Sequence, residues 1–207
     1  MPHSFPFRAI VLKTYDVGEA DRYCILFTRE RGRLSARASG ARRLQSRLGA
    51  MLLPFQQVTV QLKESSAGFI VAGVLPSGET LERFARLRAF ADAEQGTELL
   101  LSLLHEEEPL PEIFDATSTF LHSCGTAPHQ VLAFTLRLLS LLGLLPGQKE
   151  LRNFLDPSPI ESRFMEAALR GISLSFLENP KRLDRLCAFL LEDQLKSPLR
   201  AGKVVLS

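Results

Sequence analysis

The sequence predicts an α+β protein: an N-terminal five-stranded β-barrel over residues 1–79, then a C-terminal all-helical domain over residues 80–207. Three observations carry this. Residues 1–76 hold short β-branched or aromatic runs that mostly alternate with period two. Beyond residue 80, apolar residues recur at spacings of three and four. Charge changes at the same place: residues 1–80 carry 11 basic and 6 acidic groups, whereas residues 81–207 carry 14 basic and 17 acidic. The boundary is expected near Pro76-Ser-Gly-Glu79. A chain of 207 residues is long enough for one or two domains with their own cores.

The expected strands follow in order. Phe7–Lys13 contains Ala-Ile-Val-Leu, and Tyr23–Thr28 reads Tyr-Cys-Ile-Leu-Phe-Thr. Arg33–Ser39 alternates Arg-Leu-Ser-Ala-Arg-Ala-Ser. Val58–Lys63 and Phe69–Leu75 complete the set. Asp16-Val-Gly18, Glu30-Arg-Gly32 and Ser65-Ser-Ala-Gly68 supply turns. A longer link, Gly40–Pro54, includes a short helix expected over Ser46–Leu53. Five strands with a helical connection after the third is the pattern of an OB-fold, a barrel that often binds oligonucleotides. An SH3-like barrel reads similarly.

In the second half, Leu110, Ile113, Phe114, Thr117, Phe120, Leu121 and Cys124 line one helical face, with Gly125 as the stop. Val131–Leu145 is apolar nearly all round, which predicts the central helix of a bundle; Pro146-Gly147 ends it. Ser158-Pro-Ile-Glu161 is a capping box with Pro at the first helical position. Met165, Ala168, Leu169, Ile172 and Phe176 continue that helix. Asn179-Pro180 opens the last helix, with Leu183, Leu186, Cys187, Leu190 and Leu191 as its buried stripe.

Composition excludes several classes. Apolar content of 45% and charged content of 23% are ordinary for a soluble domain. The first residues lack the apolar run of a signal peptide. The longest apolar run, Val131–Pro146, is broken by Arg137 and falls short of the roughly 20 residues of a membrane span. Three scattered cysteines without a Cys-x-x-Cys suit a reducing cytosol and predict no zinc site. His122 and Cys124 would point about 200° apart on a helix, so they cannot share a metal with His129. His105-Glu-Glu-Glu-Pro109 reads as a solvated loop between helices. No phosphate-binding glycine loop and no nucleophile–base pairing appears, so catalysis and cofactors are not expected.

What stands out is arginine. Residues 29–47 carry seven arginines and one acid, while the other 188 residues are net negative. The planar guanidinium suits bidentate contact with phosphate. By the two-residue period, Arg33 and Arg37 share a strand face with Ser35. Arg42, Arg43 and Arg47 follow in the loop and short helix. With Lys13 of the first strand, these are the expected DNA-binding residues; such a stripe can track several phosphates and bind in a salt-dependent way. Among the aromatics, Phe27 and Phe69 are expected in the barrel core and Tyr15 on the surface.

At this point the chain resembles a known family, the bacterial recombination mediator RecO. Ala9-Ile-Val-Leu-Lys13, Gly18-Glu-Ala-Asp21, Leu26-Phe-Thr-Arg-Glu-Arg-Gly32, Ala38-Ser-Gly-Ala-Arg-Arg43, Ser46 and Leu53-Pro-Phe55 are similar to its OB-domain pattern. Phe134-Thr-Leu-Arg-Leu-Leu-Ser-Leu-Leu-Gly143 with Pro146 looks like its central helix, and Leu195-Lys-Ser197 like its terminal motif. The resemblance implies an OB-fold followed by helices. It further implies binding of single- and double-stranded DNA, strand annealing, and loading of recombinase with RecR on DNA coated by single-strand-binding protein (SSB). It implies a bacterial cytoplasmic protein associated with the nucleoid. One departure matters: where many members place a four-cysteine zinc element, Gly147–Leu155 contains no cysteine. The resemblance also implies that the helical domain docks the C-terminal tail of SSB. Arg137, interrupting an apolar helix, is the expected cation for it. Phe134, Leu138 and Leu141 are the expected apolar wall, and Lys196 and Arg200 are alternative cations.

The expected function is therefore non-enzymatic DNA binding in recombinational repair. Two rivals share the pattern: a protein-interaction adaptor and an RNA-binding OB module. Which domain would contact RecR, the strand preference and the oligomeric state are left open by the sequence.

Overall fold

A computed structural model describes residues 5–77, 81–147, 151, 155–172, 177–192 and 194. Strands β1 (Phe5–Val17), β2 (Asp21–Thr28), β3 (Gly32–Ala38), β4 (Gln57–Ser65) and β5 (Gly68–Pro76) form a closed barrel in the order β1-β2-β3-β5-β4. Neighbours are antiparallel except β3 and β5, which run parallel. The short helix α1 (Arg47–Met51) lies in the β3–β4 link, as the OB pattern requires. The 13-residue β1 closes the barrel by pairing β4 along Phe5–Ile10 and β2 along Ala9–Val17.

Alternation decides the interior. In β3, Leu34, Ala36 and Ala38 point inward and are buried, while Arg33, Ser35 and Arg37 face out. The core gathers Ala9, Val11, Cys24, Leu26, Leu34, Ala36, Ala38, Leu52, Val58, Val60, Leu62 and Val71. Small residues on β1 and β3 let a narrow barrel close over larger ones from β2 and β4. The register slips between Val11 and Lys13, a β-bulge. Before it Ala9 and Val11 point inward; after it Lys13 and Tyr15 point outward.

The chain divides into two compact units, and the division departs from the expected single boundary. The first unit is Met1–Glu82 with Leu104–Ser118; the second is Arg83–Leu103 with Thr119–Ser207. Thus Leu104–Ser118, assigned to the helical half by its period, goes with the barrel. Its reason is Phe27. Cys24 and Leu26 point into the barrel, so Phe27 points out, and it is fully buried against Phe114 at 5.6 Å between ring centroids. Ile10, the cross-strand partner of Phe27, is buried outside the core cluster too. Phe27 is therefore buried as expected, but against the returning segment rather than in the barrel interior. Phe69 is half-buried against the core. Gln57 and Ser118 hydrogen-bond at 3.1 Å, and the Glu107 amide donates to the Arg33 carbonyl at 2.7 Å. Gly32 makes the close approach possible: its φ is +71°, and a Cβ there would collide with the Glu108 carbonyl.

The second unit is helical. Its described α-helices are α2 (Leu87–Leu103), the end of α3 (Pro111–Ser123), α4 (Gln130–Leu141), α5 (Pro159–Arg170) and α6 (Lys181–Glu192). The all-round apolar α4 packs against α2, α5 and α6, which fits its central place. It ends at Leu141, four residues before the expected end. Gly143 takes φ +71° and closes the helix, its amide donating a hydrogen bond to the Ser140 carbonyl at 3.0 Å. The capping box of α5 is formed: the Glu161 amide donates to Ser158 Oγ at 3.2 Å, and the Ser158 amide donates to the Glu161 carboxylate at 2.7 Å. This helix stops at Arg170, earlier than its apolar spacing suggests, because Gly171 adopts the left-handed conformation. Phe176 lies outside the described residues. No described helix is long and apolar enough to cross a membrane.

Candidate nucleic-acid interface

The seven arginines of residues 29–47 do not form one surface. They divide at Ser35. Arg29 makes a bidentate pair with Asp115, Nε to Oδ1 at 3.0 Å and Nη2 to Oδ2 at 2.9 Å. Asp115 is thereby held below the usual carboxylate range, and Arg29 is raised by the same contact. Arg31 bonds Glu64 and Glu107 at 2.7 Å each and lies 4.9 Å over the Phe69 ring. Arg33 is half-buried, and its backbone bridges Glu106. Acids at Glu64, Glu107 and Asp115 answer this end of the cluster. The run expected to be a solvated loop is exposed, but Glu107 is engaged with the barrel. Sequence reading could not see this, because the partners lie 33 to 86 positions away.

The other end is open. Arg37 is exposed and pairs with Asp21 at 2.6 Å. The other oxygen of Asp21 accepts the Gly40 amide at 2.7 Å. That amide and the Arg37 guanidinium together hold the Asp21 carboxyl below its ordinary 3.8. Arg42 donates to the Gly18 carbonyl at 2.5 Å and faces Asp16 at 3.3 Å. Arg43 packs beside Gly40 and adds its charge near Asp21. Arg47 begins α1. Among the described residues, Arg43 and Arg47 are exposed and hold no ion pair. Arg22, not expected in any role, ties the parts together. It reaches Asp16 at 3.4 Å and donates to the carbonyls of Gly49 and Leu52 at 3.1 and 3.3 Å. A cation at the C-terminal end of α1 suits the dipole there and fixes the helix beside the β1–β2 turn.

Cross-strand register orders the outer face of β1, β2 and β3 into rows. Ile10, Phe27 and Arg33 form the covered row. Lys13, Ile25 and Ser35 form the next. Tyr15, Tyr23 and Arg37 form a third. Tyr15 is 46% exposed, as expected, and Tyr23 is 40% exposed. The Lys13 ammonium lies 5.4 Å from the centre of the Tyr15 ring. Of the expected DNA-binding residues, the fold brings Lys13, Arg37, Arg42, Arg43 and Arg47 to the open end and places Arg33 in the covered row. Tyr23 was missed as a surface aromatic. Its signal was present in the alternation with buried Cys24 and Leu26.

The expected partner residues are not brought together. Phe134 is 3% exposed and stacks on Phe120 at 4.2 Å, and Leu138 is 1% exposed. Both belong to the core of the helical unit, so neither offers a wall to a docking peptide. Leu141 and Arg137 are half-buried. The Arg137 guanidinium lies against Gly171 at the C-terminal end of α5, in the space a side chain there would fill. It thus does not point freely to solvent, and among the described residues it pairs with no acid. Lys196 and Arg200 lie outside the described residues. Cys24, Cys124 and Cys187 are buried, and burial pushes their thiols up to about 11, 12 and 12. Among the described residues no group of three or more His, Cys, Asp or Glu is placed to hold a metal.

With this geometry in view, residues 1–71 match the family model described as Recombination protein O N terminal, and residues 86–149 the one described as Recombination protein O C terminal. The chain is 36% identical over 148 residues to DNA repair protein RecO of Myxococcus xanthus, covering 67% of this chain and 58% of that protein. It is 34% identical over 176 residues to DNA repair protein RecO of Streptomyces griseus, covering 79% and 70%. To the Bacillus pumilus protein of the same name it is 35% identical over 156 residues, covering 68% and 59%. The chain thus spans somewhat less than two thirds of the length of several of these relatives.

Proposed function

The chain belongs to the RecO family, and on that premise we propose that it is a DNA-binding recombination mediator acting in DNA repair. It anneals complementary strands and helps load recombinase on SSB-coated single-stranded DNA. Its work is electrostatic. Two DNA strands repel each other, and guanidinium groups that neutralise phosphate lower that repulsion, so complementary bases can meet. No covalent step is needed. RecR and the C-terminal tail of SSB are its proposed protein partners.

One observation carries the reading: Arg37, Arg42, Arg43 and Arg47 converge on the open end of the barrel, two of them without an ion pair among the described residues. Acidic neighbours hold Arg29 and Arg31 instead. The DNA path therefore runs over the β1–β2 turn and the β3–α1 loop rather than along the whole arginine segment. An annealing assay tests it. Complementary oligonucleotides, with and without an SSB coat, should pair faster with the protein than without it, and less so as salt rises. Absence of acceleration at low salt refutes the reading.

A further inference from the structure

The only two tyrosines of the chain, which has no tryptophan, are Tyr15 and Tyr23. They are cross-strand neighbours on β1 and β2, and both are exposed. Directly opposed side chains on adjacent strands lie about 5 Å apart. Among the described residues neither ring stacks on another aromatic, and neither hydroxyl makes a hydrogen bond. Two large rings side by side on an outward face are unlike the rest of the barrel surface. The equivalent outward position in the covered row, Phe27, is sealed by Phe114.

Cations surround the pair. Lys13 lies over Tyr15 on one side, and Arg37 follows Tyr23 in the same row on the other. Arg37 and Arg43 both act on Asp21, and Arg42 reaches the β1–β2 turn, so the open arginines begin where the rings end. Rings flanked by cations fit one polymer in particular: a nucleic-acid strand whose bases are free to stack while its phosphates meet the cations. In a duplex the base faces are already occupied by their neighbours, so the rings have nothing to bind.

We propose that Tyr15 and Tyr23 form a stacking platform for neighbouring unpaired bases of single-stranded DNA, with Lys13 and Arg37 on the adjoining phosphates. The inference rests on the proposed DNA binding and adds to it a preference for single strands over duplex. It also divides the labour. The arginines set the salt dependence, and the tyrosines supply a component that salt leaves nearly untouched.

The protein carries its own probe, because all tyrosine emission comes from this face. Titrating the unlabelled full chain with an unmodified oligothymidine should quench that emission. An oligomer of the same length and charge made entirely of abasic sites should quench little and bind about tenfold more weakly. Replacing both tyrosines by Ala should weaken oligothymidine binding about tenfold. It should leave the salt slope and the abasic affinity unchanged. Tyr15→Phe with Tyr23→Phe should bind as the parent does, since the rings remain. Where the alanine variant fails to fold, the abasic comparison on the parent protein decides the matter. Equal affinity for the abasic and base-bearing oligomers, or a folded alanine variant that binds like the parent, overturns the platform while leaving DNA binding intact. Failure to bind either oligomer at low salt overturns DNA binding and the platform with it.

Discussion

Replacing Arg43 and Arg47 together by alanine removes two guanidinium groups of the open cluster that hold no ion pair among the described residues. Each phosphate contact on a single strand contributes roughly 0.7 to the slope of log affinity against log salt. The double variant should therefore lose about 1.4 from that slope. Between about 50 and about 200 mM salt, the affinity gap between parent and variant should narrow about sevenfold. Replacing Arg37 and Arg42 should cost less slope. Those two cations already face Asp21 and Asp16, at 2.6 and 3.3 Å, so a phosphate there shares its counter-charge with a carboxylate. Fluorescence anisotropy of a labelled single strand at four salt concentrations measures both slopes, and circular dichroism with a urea melt confirms the fold. An unchanged slope in folded Arg43→Ala/Arg47→Ala protein, or a larger loss from the Arg37/Arg42 pair, refutes the assignment of free and engaged arginines.

Three further outcomes follow from the fold. Gly32→Ala should destabilise the protein by at least ~1 kcal/mol, since the left-handed φ disfavours a side chain and the new Cβ meets the Glu108 carbonyl; equal urea midpoints would contradict this. Asp21 has a depressed carboxyl in the folded state, so its contribution is present above the ordinary 3.8 and is lost as pH falls through the lower folded value. Asp21→Asn should accordingly be less stable than the parent near neutrality, with the gap closing in acid; a gap that persists through the acid range argues against it. Finally, burial and thiol values raised to about 11 and 12 should leave all three cysteines unreactive toward a thiol reagent in native protein at neutral pH, with three reacting once it is unfolded.

Much of the fold was legible because it rests on local signals. Period-two runs and glycine turns marked all five strands, and the Ser158 capping box marked the start of α5. Strand-face alternation likewise placed Arg37 outward. Three features were not legible, each for the same reason. The engagement of Arg29 and Arg31, the return of Leu104–Ser118 to the barrel, and the clamp by Arg22 all depend on partners far along the chain. Arg29 and Arg43 look alike in a charge count, and only the position of Asp115 distinguishes them. The helical candidates failed differently. Phe134 and Leu138 share a face with Arg137 at the right spacing, but a helix apolar all round buries several faces at once, so spacing alone does not say which one meets water.

The slip between Val11 and Lys13 makes β1 two half-strands out of phase on one backbone. The first half seals the barrel against β4, and the second presents Lys13 and Tyr15 to the outside. Because Leu12 absorbs one step of the alternation, the sequence demands on the two halves are uncoupled. Ala9 and Val11 can be chosen for volume, and Tyr15 for what it displays. Strict alternation from Val11 would instead have turned Lys13 and Tyr15 inward and Thr14 outward. The same residues in a strand without the bulge would bring a lysine and a tyrosine into a core lined by alanines and valines, whereas removing Leu12 would leave a regular ladder with both still outward. The bulge, rather than the residue it accommodates, thus sets the sidedness of the Lys13 and Tyr15 surface.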